Sequence, residues 1–278
     1  MKQLPEGYEQ HSTSKLHYIV REGRDQAIRT MGLTSLSNLE HLLAEGRPQG
    51  RGRVADLFPK LKLDHEPLVV KQVLHGGLFG RFNPEGHRGP DRLVRELVIT
   101  EEARNRGVPV PEVAYLAWTV ARPCRLFLAT VRVTASRNLA ELLRDEPPGE
   151  LRRQSLKAAA VALREMHDAN MVHADLNLSN VMITELTGRP EGFVLDLDRS
   201  TFPPTLDDSH RAANLTRLLR SLEKAGDLAA QVGVRERTRF LRDYCGGTGS
   251  SYRTLRRLVR RRARWFALHR LAWRLGWT

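Results

Sequence analysis

The spacing of apolar positions predicts strands in the first part of the chain. Pro67–Lys71 and Arg125–Val131 are short apolar runs that contain β-branched residues, which is typical of strands. Between these runs, apolar residues recur at helical spacing from Asp91 to Arg106. The segment Gly107–Pro111 then ends this helix, because proline lacks the amide hydrogen that would continue the hydrogen-bond ladder.

Helical periodicity dominates the rest of the chain. A long Ala- and Leu-rich helix is predicted over Leu151–Asp168, and shorter amphipathic helices precede and follow it. The shorter helices are Ser136–Arg144, Ala212–Lys224 and Arg235–Tyr244. A strand-bearing first part and a helical second part predict an α+β chain, with an N-lobe over residues 1–131 and a C-lobe over residues 132–278.

A group of polar residues directly follows the long helix. Asp175 is followed five positions later by Asn180, and Asp196 ends a short apolar strand sixteen residues beyond Asn180. This is the spacing of the catalytic loop and the metal-binding aspartate in protein kinases. Such residues otherwise cap turns and helices, and either half of the pattern alone would favour that explanation. Both halves in this order favour a phosphotransferase with a protein-kinase-like two-lobed fold.

The residue types suit phosphoryl transfer. Its transition state is loose, so the protein mainly positions groups and neutralises charge. Asp175 is therefore predicted to be the catalytic residue that orients the attacking hydroxyl and accepts its proton. Asn180 and Asp196 carry hard oxygen ligands, which predicts that they hold Mg²⁺ against the phosphates of ATP.

Residues upstream fit the nucleotide-binding end of such a site. Lys71 ends its strand and is predicted to reach the α- and β-phosphates of ATP. Glu96, on the following helix, is the preferred ion-pair partner of Lys71. Glu101 and Glu102 are less favoured because they lie more than one helical turn later.

A glycine-bearing segment before the Lys71 strand is a candidate phosphate-binding loop. Gly50 and Gly52 lie within Gly46–Val54, and glycine permits close approach of the backbone to phosphates. The segment lacks the complete G-x-G-x-x-G spacing. An ordinary loop and a nucleotide-binding loop therefore remain equal alternatives.

The charge favours anionic partners. A net charge of +13 attracts ATP, anionic lipid and the inner-membrane surface, and it argues against cationic acceptors such as aminoglycosides. No nucleic-acid-binding motif is present, so no nucleic acid partner is expected.

The sequence shows no signal peptide and no apolar run that could span a bilayer, and its two cysteines are too few for a disulfide framework. These features predict a cytoplasmic protein.

The C-terminal segment, a predicted basic helix from about residue 253, concentrates arginine and tryptophan. Between Arg253 and Arg274 there are nine arginines and no acidic residue, and Trp265, Trp273 and Trp277 lie in the same region. Arginine and tryptophan at helical spacing are typical of a helix at a membrane surface. The alternative is a C-lobe helix whose tryptophans pack in the core while its arginines face water.

The site residues and one later segment resemble the lipopolysaccharide kinase group, in particular the 3-deoxy-D-manno-octulosonic acid (Kdo) kinases of Gram-negative bacteria. The resemblance covers roughly residues 46–245. It implies ATP-dependent phosphorylation of a Kdo hydroxyl on the lipid A inner core, by a peripheral protein at the cytoplasmic face of the inner membrane. The segments that carry it are Val172–Asn177 with Asn180, Asp196–Arg199, Asn214–Lys224 and His75–Gly80.

Four residues are candidates for contact with an anionic glycolipid acceptor, Kdo–lipid A. Asn177 either contacts the γ-phosphate or acceptor, or braces the loop. Asp198 is either a further metal or acceptor ligand, or a residue that caps the next turn or pairs with Arg199. Arg217 and Arg220 lie three apart on one helix face, so both either point at an anionic sugar or face solvent.

Departures from the protein-kinase pattern bear on the acceptor. Ala174 stands where protein kinases place an arginine that reads a phosphorylated activation loop, and no A-P-E segment follows. A small molecule or glycolipid is therefore favoured as the acceptor over a protein. A core heptose kinase or another small-molecule kinase remains the alternative. A non-catalytic basic binding protein is disfavoured because Lys71, Asp175, Asn180 and Asp196 are all retained.

Overall fold

The structure, a computed structural model, describes residues 4–49, 52–56, 62–63, 66–74, 86–145, 149–184, 189–246 and 252–274. The chain divides into two compact units, residues 1–102 with 111–132, and residues 103–110 with 133–278. Residues 103–110, which the sequence prediction placed in the N-lobe, therefore group with the second unit. One reason is that the Pro109 carbonyl accepts a hydrogen bond from the Val194 amide at 2.8 Å. Gly50 and His75–Gly80 lie outside the described residues.

An antiparallel sheet forms the first unit, with the strand order β1-β2-β7-β8-β6-β4-β3 and β5 also paired to β6. Lys71 lies on β6, where it is the register partner of Val54 on one side and of Leu128 on the other. The strands are β1 Tyr8–Ser12, β2 Leu16–Arg21, β3 Arg47–Gln49, β4 Gly52–Asp56, β5 Lys62–Leu63, β6 Glu66–Val73, β7 Val113–Thr119 and β8 Leu126–Val131.

Helices cover both faces of this sheet. Side chains alternate along β8, so that Phe127 and Leu128 enter different cores. Phe127 packs in one core with Leu39, and Leu128 packs in the other with Leu97. The helices on the first face are α1 (Asp25–Thr30) and α2 (Leu36–Glu45), and the helix on the second face is α3 (Asp91–Asn105).

The second unit is mostly helical and holds a small antiparallel sheet of order β11-β10-β9. Its helices are α4 Leu139–Asp145, α5 Glu150–Asp168, α6 Asp208–Lys224, α7 Asp227–Gln231, α8 Val234–Cys245 and α9 Tyr252–Arg274, and its strands are β9 Ser136–Asn138, β10 Val181–Thr184 and β11 Gly192–Val194. A Cβ atom on Gly192 would lie 2.7 Å from the Ala158 carbonyl oxygen. Only glycine therefore allows β11, which leads to Asp196, to lie this close to the alanine-rich α5.

The predicted helix over Ser136–Arg144 is wrong at its start. Ser136–Asn138 forms β9, which pairs with β10, and α4 begins only at Leu139. The Asn138 Oδ1 atom accepts from the Glu141 amide at 3.0 Å, and the Glu141 carboxylate accepts from the Asn138 amide at 3.2 Å. This reciprocal cap ends the strand and starts the helix.

A buried arginine joins four helices of the second unit. Arg152 on α5 is 2% exposed, and its guanidinium lies 2.8 Å from the Glu236 carboxylate on α8. It also donates to the carbonyls of Leu143 at the end of α4 and Gln231 at the end of α7, at 3.1 and 3.0 Å. Burial of this charge is compensated because its donors are matched by a carboxylate and two carbonyls.

The basic helix α9 packs against α6. Leu255 is fully buried, and Arg262 Nη2 donates to Ser209 Oγ on α6 at 2.8 Å. Over residues 252–264 the structure therefore follows the C-lobe packing alternative for this helix. No helix within the described ranges combines the length and apolarity needed to cross a membrane. The opposite face of α9 carries exposed arginines, namely Arg253, Arg256, Arg257, Arg260, Arg261 and Arg264.

Candidate active site

The predicted catalytic loop follows α5 and is held by a histidine. His173 is buried, and its Nε2 atom lies 2.9 Å from the Leu195 carbonyl oxygen. Its Nδ1 atom accepts from the Asp175 amide at 3.1 Å. Because one nitrogen must accept and the other must donate, the ring is neutral with its proton on Nε2. Burial also lowers the pKa of His173.

Two asparagines cap the main chain of Asp175 while its side chain is exposed. The Asp175 carbonyl accepts from Asn177 Nδ2 at 3.1 Å and from Asn180 Nδ2 at 2.9 Å. Asn177 Oδ1 accepts from the Ser179 amide at 2.9 Å and caps the short 3₁₀ helix Leu178–Asn180. Both ends of the Asn177 amide thus brace the loop, which is the structural one of its two predicted roles.

The predicted metal-binding residues lie on neighbouring segments. The Leu195 amide donates to the Asn180 carbonyl at 2.9 Å, so Asp196 directly follows a residue tied to Asn180. Asp196 is exposed and has a φ of 58°, a left-handed conformation that turns the chain immediately after β11. Asp198 is half-buried, and its carboxylate lies 3.4 Å from Arg199 Nε, the pairing that the sequence left open.

The donor chemistry of Asn180 and Asp196 fits Mg²⁺. Asn180 donates its amide nitrogen to the Asp175 carbonyl, which orients the amide and leaves Oδ1 as the atom suited to a hard cation. Across the described ranges, no group of three or more His, Cys, Asp or Glu side chains could hold a metal by itself. Mg²⁺ commonly binds one or two protein groups together with substrate phosphates, so a two-residue site fits an ion that arrives with ATP.

Helix α6 supports the loop through one face. Asn214 Nδ2 donates to the His173 carbonyl at 2.9 Å, and Asn214 Oδ1 accepts from the His173 amide at 3.0 Å. One turn later, Arg217 Nη1 donates to the carbonyls of His173 and Ala174 at 3.1 and 2.7 Å. A further turn on, Ser221 Oγ accepts from the Leu178 amide at 3.1 Å. The segment 214–224 is therefore a scaffold for the loop.

The two predicted acceptor arginines differ in environment. Arg217 is exposed yet donates to two loop carbonyls, so it braces the loop whether or not it also contacts an acceptor. Arg220 is half-buried and lies three residues further along α6.

In the first unit, Lys71 Nζ lies 3.5 Å from Glu96 Oε1, and the Glu96 side chain is buried. Glu101 is committed elsewhere, because its carboxylate accepts from Arg21 Nη2 at 2.8 Å and from the Tyr8 hydroxyl at 3.0 Å. Gly52 starts β4 and is the register partner of Gln49, so the described ends of the predicted glycine segment lie on the antiparallel strands β3 and β4, and β4 pairs with the Lys71 strand.

Sequence reasoning missed the buried polar residues behind the loop. His167, near the end of α5, lies 3.1 Å from Asn214 Oδ1 through Nε2 and 2.8 Å from the Tyr244 hydroxyl through Nδ1. All three residues are fully buried. The available signal was positional: His167 and Asn214 interrupt the apolar faces of α5 and α6, where an unpartnered polar side chain would be costly.

Burial lowers the pKa of His167 from its usual 6.5 to about 3, against a smaller opposing effect of the Asn214 hydrogen bond. An unfolded chain protonates this histidine below about pH 6.5, whereas the folded chain does not until about pH 3. We therefore expect the free energy of unfolding to fall as the pH drops below about 6.5, by up to about 1.4 kcal/mol per pH unit from this residue. Urea unfolding at several pH values measures this slope.

The matched variants for this test are His167→Gln and His41→Gln. His167→Gln should flatten the slope, since the carboxylate contributions are common to both chains. His41→Gln removes an exposed histidine on α2 and controls for the loss of a histidine outside the core. Equal slopes in all three proteins would contradict the assignment of this pH dependence to His167.

Comparison with known proteins identifies the family of this chain. A sequence model of the lipopolysaccharide kinase (Kdo/WaaP) family matches residues 63–244. A 3-deoxy-D-manno-octulosonic acid kinase of Actinobacillus succinogenes is 26% identical over 68% of this chain and 78% of its own length. The enzyme of the same name from Vibrio cholerae is 28% identical over 56% of this chain and 65% of its own length.

A solved structure supports the fold. It is described as WaaP in complex with acyl carrier protein, and it aligns over 93% of this chain and 98% of that chain, with a TM-score of 0.55 and 19% identity. The family match spans well over half of the chain. The chain therefore belongs to the lipopolysaccharide kinase (Kdo/WaaP) family and is a phosphotransferase with a protein-kinase-like fold.

Proposed function

We propose that this protein transfers the γ-phosphoryl group of ATP to a Kdo hydroxyl on the lipid A inner core. The proposal rests on the way in which Asp175 is held in a member of this family. Its amide and carbonyl are held by His173, Asn177 and Asn180, while its carboxylate is exposed. A rigid backbone with a presented carboxylate is what a general base for an incoming hydroxyl requires.

Each proposed role follows from the chemistry of the side chain. Asp175 orients the acceptor hydroxyl and takes its proton as the oxygen attacks the γ-phosphorus and the bond to the β-phosphate oxygen breaks. Asn180 and Asp196 would hold Mg²⁺, and the bound ion would supply charge neutralisation at the phosphates. Lys71, oriented by Glu96, contacts the α- and β-phosphates, and Gly50 and Gly52 are assigned to the phosphates as well.

An anionic acceptor fits the basic C-lobe. Kdo carries a carboxylate, and guanidinium groups bind carboxylates through paired hydrogen bonds. Arg217 uses Nη1 for the loop carbonyls, so its remaining nitrogens are the ones assigned to the acceptor. Arg220 is assigned beside it. Asn177 and Asp198 are assigned to the acceptor only through the part of each side chain that faces solvent, because both also make contacts within the loops.

A peripheral position on the cytoplasmic face of the inner membrane completes the proposal. Six exposed arginines lie on one face of α9, spaced so that they share about one side of the helix. An acidic lipid surface attracts such a cluster. The opposite face packs on α6, which fixes the arginine face relative to the C-lobe.

A cavity in the second unit favours an acyl carrier protein as a further partner, the kind of protein with which the solved WaaP structure was determined. The cavity has a volume of about 330 Å³, within the range of small-ligand sites, and could enclose part of an acyl chain. It is lined mainly by apolar side chains, among them nine leucines, with Arg256 and Arg260 also contributing. The leucines include Leu139, Leu143, Leu156, Leu178, Leu215 and Leu219.

Binding of acyl carrier protein with and without its acyl chain tests this partner. Only the acylated form should bind tightly, and Leu219→Trp, which fills the cavity, should weaken that binding. Equal binding of both forms, or an unaffected variant, would contradict the acyl-chain assignment.

The central test is ATP turnover by the purified chain with Kdo–lipid A as acceptor. Heptose-extended core and an aminoglycoside are the comparison acceptors. We expect magnesium-dependent product with Kdo–lipid A, and a rate that falls as salt rises, because exposed charges are screened over about 10 Å at 0.1 M ionic strength. Preference for heptose-extended core would transfer the proposal to a core heptose kinase, and preference for the cationic aminoglycoside would reject a lipopolysaccharide acceptor.

The nucleotide assignment predicts an order of effects. Lys71→Met should raise the KM for ATP or lower kcat most strongly, because it removes the phosphate contact itself. Glu96→Gln should have a smaller effect in the same direction, since it only orients Lys71. Glu102→Gln, six residues further along α3, is the matched control and should be near wild type. Steady-state kinetics with varied ATP measure all three, and a Glu102 effect larger than that of Glu96 would reject the assigned pair.

A further inference from the structure

A buried polar chain runs behind the catalytic loop from α8 to the loop backbone. Arg211 Nη1 lies 3.1 Å from the Tyr244 hydroxyl, and that hydroxyl lies 2.8 Å from His167 Nδ1. His167 Nε2 lies 3.1 Å from Asn214 Oδ1. Asn214 bonds both main-chain groups of His173, at 3.0 and 2.9 Å. This series of hydrogen bonds therefore connects helices α8, α5 and α6 to one residue of the loop.

Only one arrangement of protons gives every hydrogen bond in this series one donor and one acceptor. Arginine has donors and no acceptor, so the Tyr244 oxygen accepts from Arg211 and its single proton goes to His167 Nδ1. The proton of His167 then sits on Nε2 and is donated to Asn214 Oδ1. The same oxygen accepts from the His173 amide, which leaves Asn214 Nδ2 for the His173 carbonyl. A flipped Asn214 would set donor against donor at two places.

The far end of the chain is anchored by charge. Arg211 Nη2 lies 2.9 Å from the Asp168 carboxylate, and the Arg211 side chain is only 12% exposed. An arginine held in this way has a fixed direction for its remaining donors. The direction of every hydrogen bond, from Arg211 to His173, is thereby set from outside the active site.

We propose that Tyr244 and His167 are positioning residues for Asp175, acting through the orientation of Asn214. Asn214 clamps His173 at its amide and its carbonyl, and the His173 ring accepts from the Asp175 amide. A change in the Asn214 orientation would therefore move the backbone that presents the Asp175 carboxylate. The inference rests on the proposed function only in taking Asp175 as the catalytic group.

The alternative is that these residues merely satisfy one another within the core. In that case deletion of the Tyr244 hydroxyl would reduce stability and nothing else. Tyr115 provides a matched control for this alternative. Its hydroxyl is also buried and donates to the Leu33 carbonyl at 2.7 Å, but it lies in the sheet of the first unit. Tyr115→Phe and Tyr244→Phe thus each delete one buried hydroxyl.

The experiment compares both variants with the wild type, at a temperature well below the melting temperature of each. Activity is expressed per folded molecule, with ATP and Kdo–lipid A varied separately. We expect Tyr244→Phe to lower kcat by roughly tenfold while the KM for ATP stays within about twofold, since small misplacements of a reacting group can cost up to about 10² in rate. Tyr115→Phe should leave kcat unchanged. An unchanged kcat in Tyr244→Phe would overturn the proposal.

A readout without turnover separates this inference from the proposed function. Nitrogen NMR of the wild type should show His167 neutral with its proton on Nε2, and hydrogen exchange should show protected amides at His173 and Asp175. Tyr244→Phe should change the His167 tautomer populations and accelerate exchange at both amides, whereas Tyr115→Phe should not. Protection that survives in Tyr244→Phe would overturn the positioning role, even if the wild type proved to phosphorylate another acceptor.

Discussion

Replacement of Asp175 by Asn is expected to lower turnover by roughly 10² or more, because a positioned general base typically contributes about 10²–10⁴ to the rate. The substitution keeps the shape of the side chain and removes its ability to accept a proton. The main-chain bonds to His173, Asn177 and Asn180 involve only the Asp175 amide and carbonyl, so the loop should stay in place. ATP affinity should change little, since the side chain is assigned to the acceptor hydroxyl.

Single-turnover kinetics with saturating ATP measure the chemical step directly, and equilibrium binding measures ATP affinity. The matched control is Asp145→Asn, which changes another exposed aspartate, at the end of α4. It should behave as the wild type in both measurements. Near-normal turnover in Asp175→Asn would remove this residue from the catalytic role.

The fold and family of this chain could be predicted because a few local patterns determine them. Sequence spacing placed Asp175 and Asn180 in one loop and Asp196 at the end of a strand, and this spacing survives as direct contact between neighbouring segments. Helical periodicity likewise located α3, α5 and α8 to within one or two residues. Such patterns are readable because the groups involved are close in sequence.

The error at Ser136–Asn138 has a different cause. An apolar run after a polar residue suggests a helix start, but the pairing that makes β9 a strand comes from Met182 to Thr184, more than forty residues later. Long-range pairing of this kind overrides local propensity and has no signature within the segment itself. The local sign of the true helix start was the capping pair formed by Asn138 and Glu141, three residues apart.

Contacts between distant segments also explain why the predicted role of Arg217 was incomplete. Its position three residues before Arg220 on one helix face left an anionic sugar and solvent as alternatives, and Arg217 is exposed. Its bonds to the carbonyls of His173 and Ala174 depend on how α6 packs against the loop, which spacing along α6 does not determine. Arg152 is a parallel case, since a charged residue buried among four helix ends cannot be recognised from one helix.

Replacement of four arginines on the outer face of α9 is expected to abolish most binding to acidic membranes. Each arginine near an anionic surface contributes about 1 kcal/mol, so the set should weaken vesicle binding by roughly 10³. The melting temperature should hardly change, because these side chains are exposed. The set avoids the arginines that line the apolar cavity and consists of Arg253→Gln, Arg257→Gln, Arg261→Gln and Arg264→Gln. Co-sedimentation with anionic and neutral vesicles measures the binding.

A substitution on the packing face of α9 is the complementary control, because it should affect stability and not membrane binding. Leu255, on α9 itself, is fully buried, so Leu255→Ala should lower the free energy of unfolding by about 2–5 kcal/mol while the folded fraction still binds anionic vesicles. Removal of all residues after Ser251 should produce both effects, because it deletes the arginine face together with the contact that holds α9 on α6. If the four-arginine variant bound anionic vesicles as tightly as the wild type, α9 would be a structural helix of the C-lobe and the membrane surface would no longer be a partner of this face.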